Sequence, residues 1–128
     1  MNQLRTLKRS QPERNIHVRK GDFNVLVSDL LSSGDIKQNE ATFCLLDHRT
    51  FECHWSTLES LAKYKTSGHK IEIFYFLPNS WLGRAFAGQK NTKVLDDWWG
   101  RKDWDGWRNM PPIDRLAAFI ERFKEEFS

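Results

Sequence analysis

The chain has 128 residues, of which 39% are hydrophobic and 29% are charged, a composition typical of a globular protein and not of a disordered or fibrous one. This length supports one domain over 1–128 and excludes a second full domain. Twenty basic residues oppose 17 acidic ones, so the net charge of +3 excludes a strong field of one sign. No apolar run reaches the ~18 residues of a membrane helix, and no secretory signal begins the chain. We therefore predict a cytoplasmic protein with no membrane partner.

Residues 1–14 form a polar, basic N-terminal segment that either makes a single helical turn or stays loose. The first twenty residues contain one acidic side chain, Glu13, against a cluster of basic ones: Arg5, Lys8, Arg9, Arg14, Arg19 and Lys20. Such a cluster is typical of a solvated surface. It also fits contact with nucleic acid or with another partner, so both interpretations stay open.

The segment 15–78 is predicted to fold as β-α-β-α-β. Alternating apolar and polar residues over 15–19 predict a short strand with one buried face. The apolar stripe over 23–31 predicts a helix, with Asp22 as its N-cap and Gly34 as its C-terminal stop.

Two apolar runs, 41–46 and 70–77, predict strands covered on both faces, as in parallel α/β sheets. Between them, the residues 56–59 (STLE) match a capping box, which predicts a helix that begins near Ser56. The inner face of this helix is predicted to be Trp55, Leu58, Leu61 and Ala62. Two right-handed crossovers then give a partial doubly wound, Rossmann-like parallel sheet of about three strands with flanking helices.

The remaining segment, 79–128, is predicted to be helical. A short helix is expected over 80–87, and Pro111-Pro112 begins an amphipathic helix that runs to the C-terminus. The inner face of this last helix is predicted to be Ile113, Leu116, Ala117, Ile120, Phe123 and Phe127.

Between these helices, 94–110 contains four tryptophans and four aspartates. The tryptophans either stack on bases or cover the edge of the sheet. The interleaved acids oppose phosphate binding and favour the cover.

Asp22 and Asp47 each follow a predicted strand, and they are expected at the same edge of the sheet, where ligands of open α/β sheets bind. Two carboxylates at this edge suit a ribose, an amine or a metal ion. The alternative is structural: an N-cap for Asp22 and a loop hydrogen bond for Asp47.

Other chemistry has weaker support. Asp47, His48, Cys53 and His54 contain zinc-binding atoms, but their spacing matches no standard zinc site, and none is predicted. Cys53 with a histidine could form a nucleophile and base, but no third group orients the pair. The seven glycines form neither G-x-G-x-x-G nor a P-loop, so no loop that cradles a phosphate is predicted.

Four long strings resemble the three-Cys-motif partner (TcmP) family: CLLDHRTFECHWSTLESLAKYK at 44–65, KIEIFYFLPNSWLGRAFAG at 70–88, DDWWGRKDWDGW at 96–107 and RFKEEF at 122–127. The tetrapeptide GDFN at 21–24 also resembles the family pattern. The resemblance extends from about Ile16 to the C-terminus. It implies the fold of class I methyltransferases, and it carries no settled activity.

The resemblance also implies roles for both aspartates. GDFN corresponds to the segment after the third methyltransferase strand, which would place Asp22 beside the adenine of S-adenosylmethionine. LLDHRT corresponds to the end of the fourth strand, which would place Asp47 beside the methyl acceptor. His48 stands where many such sequences have proline.

The family's first two strands and its glycine loop have no counterpart in this sequence. The chain is therefore expected to be a natural short form, a split partner or a fragment. We expect no cofactor, unless a partner completes a site for S-adenosylmethionine. We also expect the open strand edge to pair with a protein partner or a second copy. Three functions follow as hypotheses: a binding or partner module, an S-adenosylmethionine-dependent methyltransferase, and a nucleic-acid-binding protein.

Overall fold

The computed structural model describes residues 2–127 and contains helices and a parallel sheet. The helices are α1 (Asn2–Ser10), α2 (Phe23–Ser33), α3 (Trp55–Lys63), α4 (Leu82–Gly88), α5 (Thr92–Trp99) and α6 (Pro112–Phe127), and the strands are β1 (Phe43–Leu46) and β2 (Glu72–Tyr75). Two short 3-10 helices, Asn79–Trp81 and Asp103–Trp107, precede α4 and follow α5.

The two central strands pair in parallel, as their apolar runs predict. Leu45 lies opposite Phe74 and Leu46 lies opposite Tyr75. The helix α3 connects β1 to β2 as the crossover, which is the connection that a parallel pair requires. The β-α-β unit at the centre of the prediction is therefore present.

The third predicted strand, over 15–19, does not form. Within residues 2–127 the sheet has two strands, and residues 15–20 belong to neither. Ile16 and Val18 are half-buried, as the alternation predicts. However, neither strand of the sheet forms backbone hydrogen bonds with this segment in a ladder. Alternation favours a strand only where a partner strand is available. The coarse fold class is confirmed and the three-stranded sheet is not.

The predicted boundaries of α2 are confirmed. The side chain of Asp22 accepts a hydrogen bond from the backbone N–H of Asn24, as an N-cap does. Gly34 ends the helix in the left-handed conformation at φ 81°. Asp22 therefore has the structural role that was its alternative interpretation.

The predicted start of α3 is confirmed to within one residue, but its capping box is wrong. The helix begins at Trp55, and the N-cap position is His54, whose side chain makes no capping hydrogen bond. Asn24, in the first turn of α2, accepts hydrogen bonds from His54 and Thr57 instead. The predicted inner face of α3 is buried throughout.

The predicted inner face of α6 is confirmed for Phe123 and Phe127, which pack against the core, but not for the earlier part of the helix. Ile113, Leu116 and Ile120 are exposed, although they belong to the predicted inner face. Arg115, Phe119 and Arg122 are buried instead. The apolar stripe misleads here because the neighbouring tryptophans offer flat π faces, on which a guanidinium packs as well as an aliphatic side chain.

The core of the protein is aromatic and lies between α3, α5, α6 and one face of the sheet. Trp55, at the start of α3, contacts Trp99 with ring centroids 5.9 Å apart and Phe127 with centroids 5.3 Å apart. Phe119 of α6 packs on Tyr75 of β2 at 5.2 Å. Rings from α3, α5, α6 and β2 thus share the core with aliphatic side chains such as Leu58 and Leu95.

Candidate functional site

A cleft of about 820 Å³ opens where β1 ends, and we name it the β1 cleft. Its walls come from the loop before α2, the loop after β1, and α4 with α5. Its polar and charged lining includes Asp22, Asn24, Arg49, Glu52, His54 and Asp97. The cleft lies where the parallel topology predicts a site.

Asn24, in the first turn of α2, joins the start of this helix to the loop after β1, and so connects two walls of the β1 cleft. Its amide Nδ2 donates to the carboxylate of Asp22 at 3.0 Å and to the backbone carbonyl of Glu52 at 2.8 Å. Its Oδ1 accepts from the backbone N–H of His54 at 2.9 Å and from the hydroxyl of Thr57 at 2.7 Å. Every polar atom of the amide is thus used, and Asn24 fixes the geometry of the site. The sequence pattern predicted no role for Asn24.

Replacing Asn24 by aspartate is expected to lower the free energy of unfolding by about 2 kcal/mol or more. Aspartate has the same shape as asparagine, but it replaces the Nδ2 amide, which donates two hydrogen bonds, with an oxygen that can only accept them. This oxygen would face the backbone carbonyl of Glu52 and the carboxylate of Asp22, two other acceptors. Urea denaturation measures the loss. Asn91→Asp is the matched control, because Asn91 caps α5 through its Oδ1 alone and aspartate caps a helix equally well. An equal loss in both variants would contradict the role given to Asn24.

The two predicted site aspartates occupy different surroundings. Asp22 lines the β1 cleft, and its Oδ1 accepts two hydrogen bonds from Asn24. No group within residues 2–127 donates to its Oδ2, which is therefore open to a ligand. Asp47 directly follows β1 and is exposed, but it does not line the β1 cleft. The site roles of both aspartates stay predictions.

His48 is buried between Phe23 and Tyr75, with ring centroids 6.5 Å and 4.5 Å away. Neither ring nitrogen has a hydrogen-bond partner within residues 2–127. Burial lowers the pKa of His48, although the nearby carboxylates of Glu52 and Asp47 oppose this shift. We therefore expect an uncharged imidazole at neutral pH, packed as an aromatic ring.

The thiol of Cys53 does not have the properties of a nucleophile. The residue is completely buried, and burial raises its pKa to about 12. The thiol is protonated at neutral pH, whereas nucleophilic attack requires a thiolate. Within the described part of the chain, no group of three or more His, Cys, Asp or Glu side chains is arranged to hold a metal ion.

The four clustered tryptophans are part of the core and are not a surface for bases. Trp98, Trp99, Trp104 and Trp107 are all buried. Trp98 and Trp107 meet edge to face at 5.6 Å, a favourable arrangement for aromatic pairs. Base stacking requires an accessible ring face, so these residues provide no platform for nucleic acid.

Two of the aspartates among these tryptophans satisfy the N–H groups of two buried indoles. The indole N–H of Trp99 donates to Asp103 at 2.7 Å, and that of Trp104 donates to Asp96 at 2.7 Å. The other two acids of the run form ion pairs with basic neighbours on the surface. The Trp–Asp alternation is thus the signature of a hydrogen-bonded core.

These features define a mixed helix-and-strand protein built on one parallel β-α-β unit, with a polar cleft at the carboxyl end of its first strand. Comparisons with protein-family models, with curated proteins and with solved structures found no match to this chain. No helix within residues 2–127 combines the length and the hydrophobicity needed to cross a bilayer.

Proposed function

We propose that this chain is a partner module: a methyltransferase-like α/β unit whose sheet is covered and extended by another protein chain. The observation that carries the proposal is the bare apolar face of the sheet. The resemblance of the sequence to the three-Cys-motif partner family, noted above, supports the proposal independently.

The bare face consists of alternate residues of β1 and β2, and these are apolar except for Glu72, which lies opposite Phe43. Phe43 and Leu45 are 64% and 59% exposed, and Phe74 is 58% exposed. Phe76, just after β2, continues the row at 48% exposure. The residues between them point the other way, and Leu46 is buried in the core. The sheet is therefore covered on one side only.

This arrangement is unusual for a parallel sheet. Parallel β-α-β sheets are covered on both faces, because their crossovers place helices there. Full burial of such a side chain contributes about 1.5–3 kcal/mol, and since each of these is about half exposed, a covering surface would restore roughly half of that. Both strands also have an outer edge that pairs with no other strand in residues 2–127, and such edges favour the addition of a strand.

The bare face continues into a second cleft, of about 560 Å³, beyond the end of β2. Phe76, Pro78 and Trp81 give this cleft an apolar wall, and Arg49 and Arg84 contribute positive charge. A partner surface that fits both the bare face and the second cleft is apolar where it meets the strands, and it carries carboxylates opposite Arg49 and Arg84. The proposed partner therefore presents an apolar surface with an acidic end.

The double variant Leu45→Lys/Phe74→Glu tests the proposal. These residues are direct cross-strand partners, so the opposite charges preserve the strand pair while making the face polar. We expect wild-type protein to self-associate in light scattering or to retain a partner in affinity capture, and the double variant to do neither. Val25→Lys, at a lone exposed apolar site on α2, is the control and should behave as wild type. A strictly monomeric wild type that captures no partner would overturn the proposal.

A second candidate function, S-adenosylmethionine-dependent methyl transfer, is favoured by the β1 cleft. The open Oδ2 of Asp22 suits the adenosine end of the cofactor, in the role that the resemblance implies for this residue. No glycine loop in the chain suits the methionine end, so the residues present fit only part of the cofactor. A complete site would need residues from a partner, and Asp47 at the exposed rim would face the acceptor only in that assembly.

Calorimetric titration with S-adenosylhomocysteine separates the two candidates. The partner module predicts no heat for the isolated chain, even at millimolar ligand. Binding that disappears in Asp22→Ala would support the methyltransferase. The cap lost in Asp22→Ala costs about 1 kcal/mol of helix stability, so circular dichroism should verify that the variant is folded.

A further inference from the structure

We propose that the N-terminal segment binds the sugar-phosphate backbone of nucleic acid, without base specificity, in a basic cleft. The cleft has a volume of about 540 Å³. Its lining consists of Arg5, Lys8, Arg9, Pro12, Arg14 and Val18. Four of these six side chains are cationic, and none is acidic.

The local fold brings the cations together. Arg5 and Arg9 are one turn apart on α1, so they lie on the same face and about 6 Å apart along the axis. The chain then turns after α1, where Gln11 bonds back to Leu7 and Arg14 bonds back to Gln11 through backbone groups. This turn returns Arg14 to the cleft beside the helix.

The positive charge in the cleft is not neutralised by the protein. Among the described residues, no carboxylate forms an ion pair with Arg5, Lys8, Arg9 or Arg14. Arg19, a few residues further along, differs because it pairs with Asp35 at 3.5 Å. Four like charges that converge on one cleft repel one another, and an anion with several charges relieves that repulsion.

The composition of the cleft favours a nucleic-acid backbone over other polyanions. Three of its cations are arginines, whose planar guanidinium groups bind phosphate oxygens in a bidentate manner. Pro12 and Val18 add apolar surface that suits a sugar ring. No aromatic side chain lines this cleft, and the four clustered tryptophans at 98–107 are in the core, so the cleft has no group that recognises a base. Recognition through the backbone alone is independent of sequence.

A membrane surface fits the same helix less well. An interfacial helix buries a broad apolar face, usually with aromatic side chains. In α1 the large exposed apolar residues are Leu4 and Leu7, and the helix contains no aromatic residue. Binding to vesicles is therefore an outcome against the proposal.

Fluorescence anisotropy of the full-length protein with a labelled 20-nucleotide single-stranded DNA tests the inference. Four neutralised phosphates give a slope of log K against log salt of about −2.8, which is about a 50-fold loss of affinity between 50 and 200 mM salt. In Arg5→Gln/Arg9→Gln the slope should halve and the loss should be about sevenfold. Oligonucleotides of different sequence should bind equally.

Lys90→Gln/Lys102→Gln is the matched control, since it removes the same charge at two exposed sites outside the cleft. It should keep the wild-type slope. The inference is overturned by an absence of DNA binding at 50 mM salt, or by equal losses in both double variants. Tighter binding to phosphatidylserine vesicles than to DNA would overturn it as well. Because α1 buries no residue, the circular dichroism spectrum of Arg5→Gln/Arg9→Gln should match that of the wild type. A changed spectrum would count against the arrangement of the basic cleft described here.

Discussion

Replacing Gly100 by alanine is expected to lower the free energy of unfolding by about 3–4 kcal/mol, a large part of the total for a chain of this size. Gly100 ends α5 with φ 73°, a conformation that costs an alanine about 1 kcal/mol. A Cβ at this position would also lie 2.6 Å from the Cβ and Cγ of Trp55. Those atoms are next to the backbone of α3 and cannot move aside alone, so the helices must separate. Urea denaturation of both proteins measures the difference.

Gly34→Ala separates the clash from the backbone strain. Gly34 ends α2 at φ 81°, and an added Cβ would meet no atom within 4 Å. We expect this variant to lose about 1 kcal/mol, from the left-handed backbone alone. If the two alanine variants lost the same stability, then α5 and α3 would not approach each other as closely as the structure has them.

Replacing Arg122 by alanine is expected to lower the free energy of unfolding by about 3 kcal/mol. The guanidinium carbon lies 4.0 Å from the ring centroid of Trp55 and 4.3 Å from that of Trp99, so the cation is stacked between two indoles. It also donates to the backbone carbonyl of Trp99, and its carboxylate partner Glu126 is 3.9 Å away. Burial lowers the pKa of Arg122. Removal leaves a slot between the rings and an unsatisfied carbonyl.

Two further variants identify the source of this stability. Arg122→Lys keeps the charge but replaces the flat group with a compact ammonium, and it should lose about 2 kcal/mol. Arg84→Ala removes a cation 5.3 Å from the centroid of the exposed Trp81, where such a contact contributes at most about 1 kcal/mol. If Arg122→Ala were as mild as Arg84→Ala in thermal denaturation, the stacked arginine would not be a core residue.

The β-α-β unit could be predicted because its signals are local. Two short apolar runs on either side of an amphipathic helix allow few folds other than strand, helix, strand. A parallel pair of strands needs a crossover connection, and the order of the elements provides it. The N-cap Asp22 and the stop Gly34 are likewise decided within a few residues of each end. The sheet's third strand was predicted in error because a strand depends on a neighbour that local patterns do not contain.

The site roles of Asp22 and Asp47 stay predictions, and the cleft was not predicted in its composition. The carboxyl end of β1 does open into a cleft, and Asp22 lines it. Asn24 was not predicted as the residue that joins the start of α2 to the loop after β1, because its partners His54 and Thr57 are 30 and 33 residues away. The basic N-terminal cluster was visible in the sequence. Its arrangement as a cleft was not, because this depends on the turn after α1.

The sequence by itself determined the parallel β-α-β unit, the boundaries of α2 and the aromatic richness of the core, because these follow from periodicity, capping and composition. Only the tertiary structure decided that Arg122 is inside while Ile113 is outside, and that one face of the sheet is bare. Burial is a property of pairs of surfaces, and whether a side chain is covered depends on which surface the rest of the chain brings to it.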